Sequence, residues 1–417
     1  MNATVGKRAR IISYVLTLVY FASYCTRINF TVMLVKIGSE MSVTKEELSI
    51  VVTALTVSYG VGQIISGMLG DRIKAPLLLT AGLSVASICN ALMFFMPSVY
   101  SMTAVWCVNG FAQSLLWPPI VRIMSTSLND SEYSYAAVRV SWGSSIATIC
   151  MYTVIPLLLY AVSWRAVMII CAFVGALIAL VWRVVYPRLL SEENKNSESK
   201  EDRTLKAAAV KGEKLPSFVY VPIALIMLGI ILQGILRDGV AGWMPSYLHE
   251  TFNIPEEKAI ISTVIQAIFS MLSFYVFDVI HRKLFKNEVT CSAVIFALAA
   301  VCAVALYVLN MFFDSVLLSL LLMAVIVGCM HGINLMLITV VPKRMIRSGK
   351  VSTWSGILNS CTYIGASLSM YGFAAMANSK GWNFTILMWG VVAFLGTAVC
   401  TLGAFGWKRF KREFSDK

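Results

Sequence analysis

The chain has 417 residues, of which 58% are hydrophobic and only 13% are charged, whereas a soluble protein carries about 25% charged residues. Soluble domains of this total length would lack the polar groups needed to cover their surfaces, so the composition excludes that class and indicates that lipid surrounds most of the chain. The net charge of +13 lies at the ends of apolar runs rather than in a basic stripe, and we therefore expect no nucleic acid as a partner.

Twelve apolar runs follow one another along the chain, each about as long as the roughly 20 residues that a membrane-spanning helix needs. The first run is as long as a full span and is followed by no cleavage site, so we expect it to be retained as a helix. The predicted helices lie at 11–35, 47–70, 76–96, 99–124, 135–162, 164–186, 217–248, 258–280, 289–312, 315–341, 351–376 and 383–406.

A polar break divides these runs into two sets of six. Residues 187–216 are of mixed charge and nearly free of aromatic side chains, which is typical of a flexible segment that cannot bury enough apolar surface to fold. We therefore predict an N-terminal six-helix bundle at 1–186, a cytoplasmic linker at 187–216 and a C-terminal six-helix bundle at 217–417. A short amphipathic helix lying on the membrane is the alternative for the linker.

The distribution of basic residues tests the number of helices, because cytoplasmic loops carry an excess of lysine and arginine. With both termini inside, only five of the 34 lysines and arginines fall in outward loops and three within spans. The remaining basic residues lie in inward segments, and this alternation would be lost if one helix were miscounted. We expect a multi-pass protein of the cell (inner or plasma) membrane with both termini in the cytoplasm, present as a monomer.

The two halves can be aligned with an offset near 210, which pairs Arg27 with Arg237. Two parallel six-helix repeats are typical of the major facilitator arrangement, in which substrate binds between the halves near the midplane. Residues 67–72 (GMLGDR) resemble the facilitator motif that follows the second helix. The prediction is an all-α membrane protein of twelve helices in two pseudo-symmetric bundles, the major facilitator fold.

The motif at 67–72 has four positions that we assign to gating. Gly67 and Gly70 would let helices approach closely. Asp71 could cap or pair with a neighbouring helix end, and Arg72 would lie at the cytoplasmic surface. The alternative is an ordinary positive-inside turn.

Arginines within spans are the candidate substrate ligands, since a charge at the centre of a membrane helix costs about 2.5–3.5 kcal/mol on insertion scales. Arg27 has no acidic residue within four positions, so we expect an exogenous anion as its partner, gripped in bidentate fashion. Arg139, near the inner end of the fifth helix, either extends to the cytoplasm or lines the inner mouth of the pathway.

Arg237 has Asp238 beside it, but neighbouring residues on a helix do not face each other. The run at 217–248 is too long for one straight span, and we expect Gly239, Gly242 and Pro245 to break or bend it. Arg237 lies either in the substrate cavity or at the outer interface, where its side chain would extend to water.

A set of segments, taken in their order and spacing, is typical of one transporter family: 24–30, 58–60, 117–119 with Arg122, 236–239, 243–248 and 342–344. Together they resemble the organophosphate:phosphate antiporters, the glycerol-3-phosphate and hexose-phosphate exchangers of the major facilitator superfamily. The resemblance implies that Arg27 and Arg237 bind phosphate and that aromatic positions around them match Tyr20, Tyr24, Tyr59 and Tyr363. It also implies exchange of an organic phosphate for inorganic phosphate.

The chain departs from this family at three site positions. Gln63 stands where the glycerol-phosphate member has a lysine, Ile146 where it has a histidine, and Gly234 where it has a tyrosine. A carboxylate substrate therefore remains an alternative to a phosphate. His331 and Asn334 could supply other polar contacts to substrate, or they could form hydrogen bonds between helices.

Exchange by alternating access is the expected mechanism. Proton coupling usually requires acidic residues deep within spans, and the acids that come nearest to such a position are Asp238 and Asp278, which lie near the ends of their predicted helices. The alternatives are a facilitator of a carboxylate or sugar acid and a transporter-like membrane sensor. The sequence holds no metal-ligand cluster, nucleophile–base pair or phosphate loop, so we expect neither an enzyme nor a cofactor or metal. The expected partners are a small anionic substrate, inorganic phosphate as its counter-substrate, and the lipid bilayer.

Overall fold

The computed structural model describes residues 5–193, 212–313 and 315–415, and every secondary-structure element in them is helical. The first part of the chain forms α1 (Lys7–Val32), α2 (Leu34–Met41), α3 (Lys45–Arg72), α4 (Ala75–Met93), α5 (Val99–Ser114), α6 (Trp117–Ser127), α7 (Asp130–Leu158) and α8 (Trp164–Glu193). The second part forms α9 (Tyr220–Phe252), α10 (Glu256–Lys283), α11 (Glu288–Phe312), α12 (Val316–Asn334), α13 (Val341–Lys343) and α14 (Val351–Phe410). Short 3₁₀ turns lie at Ser217–Val219 and Ile346–Ser348, and π-helical segments at Leu335–Val340 and Lys411–Ser415.

Within the described residues, 10 helical segments are each long and apolar enough to cross a membrane. Helices α5 and α6 are separated by a two-residue interruption, and together they supply an eleventh span. Helix α14 contains Gly381 at φ 76° and ψ 175°, a conformation that is essentially open to glycine alone. This residue divides α14 into two spans, and the prediction of an all-α membrane protein with twelve helices is confirmed.

The described residues form two compact units. The first extends to Glu213 and includes Met345–Ile357, and the second comprises Lys214–Arg344 and the residues from Leu358 onward. The start of α14 thus belongs with the first unit, whereas the sequence assigns it to the C-terminal bundle. Residues 194–211 of the predicted linker lie outside the described part, so the linker stays a prediction.

The span predicted at 99–124 is not one continuous helix. Pro118 and Pro119 lack the N–H groups that would continue the helical hydrogen bonds, and α5 therefore ends at Ser114. The carbonyl that Pro118 cannot bond is that of Ser114, and it accepts a hydrogen bond of 3.4 Å from Nε2 of Gln63 on α3. A buried glutamine thus replaces the donor that the proline lacks.

The run at 217–248 is not broken, because α9 is a single helix of 33 residues that contains Pro245; a bend at this point stays a prediction. The carbonyl that Pro245 leaves without its helical donor is that of Ala241. Nε2 of Gln266 on α10 donates to it at 3.4 Å. A membrane helix tolerates a proline when a neighbouring side chain satisfies the released backbone group in this way.

One close helix contact recurs within each unit. A Cβ atom at Gly143 of α7 would overlap the carbonyl oxygen of Thr17 on α1, and a Cβ atom at Gly365 of α14 would overlap the carbonyl oxygen of Ile231 on α9. Each glycine therefore lets its helix lie directly against the first long helix of its own unit. This recurring contact is structural evidence for the internal repeat and does not depend on the sequence alignment.

The two arginines do not occupy equivalent points of this repeat. The interval from Thr17 to Ile231 is 214 residues, whereas the interval from Arg27 to Arg237 is 210. Arg237 therefore lies one helical turn, about 6 Å, nearer the N-terminal end of its helix than an exact repeat of Arg27 would. The pairing of the two arginines by sequence is approximate.

Candidate functional site

In the first unit, Arg27 is half-buried on α1 and lies against tyrosine rings. Its Cζ atom is 4.1 Å from the ring centroid of Tyr24 and 4.9 Å from that of Tyr59 on α3. Stacking on aromatic faces orients a guanidinium and partly desolvates it while its positive charge remains. The structure thus brings together three of the residues predicted to bind substrate.

The aromatic surface continues beyond Tyr24. The rings of Tyr20 and Tyr24 meet edge-on at 5.2 Å, and Tyr20 also lies 4.9 Å from the ring of Trp117. Sequence analysis did not assign Trp117 to the site. The proline pair at 118 and 119 restarts the helix at this tryptophan, which is the signal that could have identified its fixed position.

A buried amide network holds α1 next to Arg27. The carbonyl of Thr26 accepts hydrogen bonds from Nδ2 of Asn90 on α4 at 2.8 Å and Nδ2 of Asn109 on α5 at 3.0 Å. The hydroxyl of Thr26 accepts a bond of 2.9 Å from Nε2 of Gln113. All four of these network residues are at most 1% exposed. The network fixes the backbone directly before the arginine to two other helices.

Replacing Asn109 with leucine is expected to destabilise the protein by about 1–3 kcal/mol, because a buried carbonyl and its amide partners lose hydrogen bonds without gaining water. Thermal unfolding of the purified protein measures this change. The control is Asn383→Leu, which removes an exposed amide that accepts a hydrogen bond from Asn310. It should cost less than about 1 kcal/mol, because water can replace a hydrogen bond at an exposed position. Equal effects of the two substitutions would show that the network contributes little.

The predicted motif residue Asp71 caps a helix within the first unit. Its Oδ1 accepts a hydrogen bond from the backbone N–H of Ser352 at 2.9 Å, and its Oδ2 accepts one from Thr353 at 2.8 Å. These two residues lie in the first turn of α14, where a negative charge also interacts favourably with the helix dipole.

The other motif residues make this cap possible. A Cβ atom at Gly67 would lie 2.7 Å from the carbonyl oxygen of Ser352, and one at Gly70 would lie 2.7 Å from its hydroxyl. Only glycine permits so close an approach at these positions. Arg72 is exposed, whereas Arg122 of α6 donates to the carbonyls of Gly70 and Ile73 at the end of α3.

In the second unit, Arg237 forms a bidentate ion pair with Asp238. The distances from Nε to Oδ1 and from Nη2 to Oδ2 are both 2.8 Å. The expectation that these neighbours do not pair is wrong, because the long arginine side chain can fold back along the helix to the adjacent carboxylate. The arginine side chain is 15% exposed and that of Asp238 31%.

Three other predicted residues lie in the second unit. His331 is half-buried on α12, its ring meets Phe274 edge-on at 5.4 Å, and the charges of Arg237 and Asp238 both act on it. Asn334 is half-buried where α12 passes into a π-helical segment, a local irregularity that is frequent at functional sites. Tyr363 is half-buried on α14.

Two of the three positions that depart from the antiporter pattern have a structural explanation. Gln63 is fully buried, and its hydrogen bond to Ser114 favours a role in holding helices together. A side chain at Gly234 would overlap the carbonyl of Thr362 on α14, so a tyrosine does not fit there. Ile146 is exposed, and nothing in the structure explains the change.

Arg139 lies over its neighbours on α7. Its Cζ atom is 3.3 Å from the ring centroid of Tyr135 and 5.7 Å from that of Trp142. These contacts are compatible with both predicted roles.

A buried ion cluster, which sequence analysis missed, lies at the start of α11. Glu288 is fully buried; its Oε1 lies 2.8 Å from Nε of Arg344 and 3.1 Å from Nζ of Lys411. Its Oε2 accepts a hydrogen bond from the indole of Trp407 at 3.1 Å, and the His281 imidazole lies 4.0 Å from Oε1. The partners are up to 123 residues from Glu288 in sequence, which explains why no local pattern indicated them.

Comparison with known proteins gives a consistent assignment. The Major Facilitator Superfamily model matches residues 16–370. A glycerol-3-phosphate transporter of Bacillus subtilis (strain 168) is 25% identical over 397 residues, which cover 88% of this chain and 86% of the relative. A phosphoglycerate transporter protein of Salmonella typhimurium (strain LT2) is 23% identical over 396 residues, covering 89% and 84%. A solved structure of the proton:xylose symporter XylE bound to 6-bromo-6-deoxy-D-glucose matches with a TM-score of 0.72 at 12% identity, covering 99% of this chain and 96% of that one.

Twelve membrane-spanning helices, three of which contain Arg27, Arg139 and Arg237, define a multi-pass membrane protein of the solute-transporter class. The chain belongs to the Major Facilitator Superfamily, and it is a transporter rather than an enzyme. The predicted major facilitator fold is confirmed by the structural match. The predicted resemblance to organophosphate transporters is confirmed by the two relatives, each of which aligns with most of the chain.

Proposed function

We propose that the chain exchanges a small phosphorylated metabolite for inorganic phosphate across the cell membrane by alternating access. The observation that carries this proposal is Arg27, whose guanidinium lies within a membrane span and is stacked on tyrosines. The amide network fixes the backbone directly before this residue. Planar guanidinium groups bind phosphate in bidentate fashion. The names of the two relatives, a glycerol-3-phosphate and a phosphoglycerate transporter, support the same substrate class.

In this proposal Arg27 and Arg237 supply the cationic groups, and Tyr20, Tyr24 and Tyr59 orient the first of them. Binding of the anion favours closure of the bundles at 1–186 and 217–417, and its release lets them reopen. In this proposal the protein acts as a monomer and has both termini in the cytoplasm; the distribution of basic residues supports the position of the termini.

Uptake into proteoliposomes tests the proposal. Purified protein is reconstituted with or without internal phosphate, and entry of labelled glycerol 3-phosphate is measured. Uptake that requires internal phosphate is the expected result, whereas uptake without it would indicate a facilitator. Thermal stabilisation by the ligand with no flux would indicate a sensor, and stabilisation by glycerate alone would overturn the organophosphate assignment.

A further inference from the structure

The Arg237–Asp238 ion pair determines the charge and the guanidinium orientation that an anion meets in the second unit. A guanidinium has five N–H groups in a planar fork, and Asp238 accepts hydrogen bonds from Nε and from Nη2. The pair therefore fixes the plane of the Arg237 guanidinium. It also places a negative charge directly beside the positive one, so that the net charge of the pair is zero.

Arg27 makes contacts of another kind. The contacts described above for Arg27 are with the π faces of two tyrosines, which stabilise a cation without cancelling its charge. A dianionic phosphate that approaches Arg237 meets repulsion from Asp238 as well as attraction from the guanidinium. Each additional negative charge on the substrate increases that repulsion.

A carboxylate can accept more hydrogen bonds than the two that Arg237 donates, since its oxygens offer about four lone-pair sites. An ammonium group on the substrate could use the remaining sites while its phosphate binds the guanidinium. Such a substrate would satisfy both members of the pair at once. A plain phosphate ester would satisfy only one of them.

We propose that Asp238 is a specificity-determining residue that favours organic phosphates carrying an ammonium group, with a net charge of −1, over plain dianionic phosphate esters. This inference rests on the proposed function of phosphate binding at Arg237. It concerns the substrate class only and is independent of whether transport is exchange or facilitated diffusion.

The test uses phosphoethanolamine and ethyl phosphate, which share a two-carbon phosphate ester and differ in the ammonium group. At about pH 8 both phosphates are dianions, because their second pKa is about 6, and the amine is protonated. Binding to the purified full-length protein is measured by calorimetry. Wild type is expected to bind phosphoethanolamine more tightly, and Asp238→Asn should reduce that preference about tenfold, which corresponds to about 1.4 kcal/mol.

Two variants serve as controls. Asp238→Glu retains the charge and should retain the preference. Glu250→Gln removes an exposed acid on the same helix and should leave the ratio unchanged. An unchanged ratio in Asp238→Asn would overturn the inference, as would tighter binding of ethyl phosphate by wild type, a result that requires no variant to fold. If wild type bound neither ligand, the proposed function would itself fail.

Discussion

Arg27→Ala is expected to lower kcat/KM for anion uptake by at least about 100-fold while the protein stays folded. The guanidinium can make two charge-assisted hydrogen bonds to an oxyanion, and losing bonds of about 1.5 kcal/mol each removes about 3 kcal/mol of binding. Arg27→Lys should recover only part of the activity, because an ammonium group keeps the charge but lacks the planar bidentate fork.

The control for this substitution is Arg165→Ala. Arg165 also stacks on an aromatic ring, with its Cζ atom 4.3 Å from the ring of Trp164, but it is half-buried in the first turn of α8 and donates to the carbonyl of Phe94 at 3.2 Å. Uptake by this variant should stay within about twofold of wild type, because the predicted topology places Arg165 in an outward loop and not inside a span. Wild-type uptake by Arg27→Ala would exclude Arg27 as a substrate ligand.

Glu288→Gln is expected to lower the free energy of unfolding by about 3–5 kcal/mol. The carboxylate is fully buried between Arg344 and Lys411, whose side chains are 21% and 11% exposed. A neutral amide would remove the negative charge that compensates both cations where little water reaches them. Removing one partner of a buried ion pair costs far more than the pair contributes on balance. The apparent melting temperature in detergent reports the change.

The matched control lies a short distance along the chain from Lys411. Glu413 pairs with Arg409 at 2.9 Å, but the side chains are 35% and 58% exposed. Glu413→Gln should therefore cost less than about 0.5 kcal/mol, as is usual for surface ion pairs. Similar melting temperatures for Glu288→Gln and Glu413→Gln would mean that the buried cluster is not the stabilising element that its geometry indicates.

The membrane-spanning helices could be predicted from the sequence because each depends on a local property, the run of apolar residues between basic loops. The interruption after Ser114 also has a local cause, the prolines at 118 and 119, but the uninterrupted run of apolar residues there predicts a single continuous helix. Helix geometry alone does not predict the ion pair of Arg237, because it does not account for how far a long side chain can bend.

The amide network could not be predicted at all. Asn90 and Asn109 are 64 and 83 residues from Thr26, and no periodicity in either helix shows which carbonyl they meet. The same holds for Glu288 and Lys411. The arginines of the candidate site could be found from the sequence because a charge in a span is conspicuous, whereas the tyrosines and amides that position Arg27 are uncharged.

The two glutamine–proline contacts make certain substitutions interdependent. Gln63 donates to the carbonyl released by Pro118, and Gln266 donates to the carbonyl released by Pro245. An alanine in place of either proline would supply its own N–H group and make the glutamine redundant, whereas losing the glutamine alone would leave a carbonyl exposed to a medium without donors. In each pair the proline can therefore be substituted first and the glutamine afterwards, whereas substitution of the glutamine first would be destabilising.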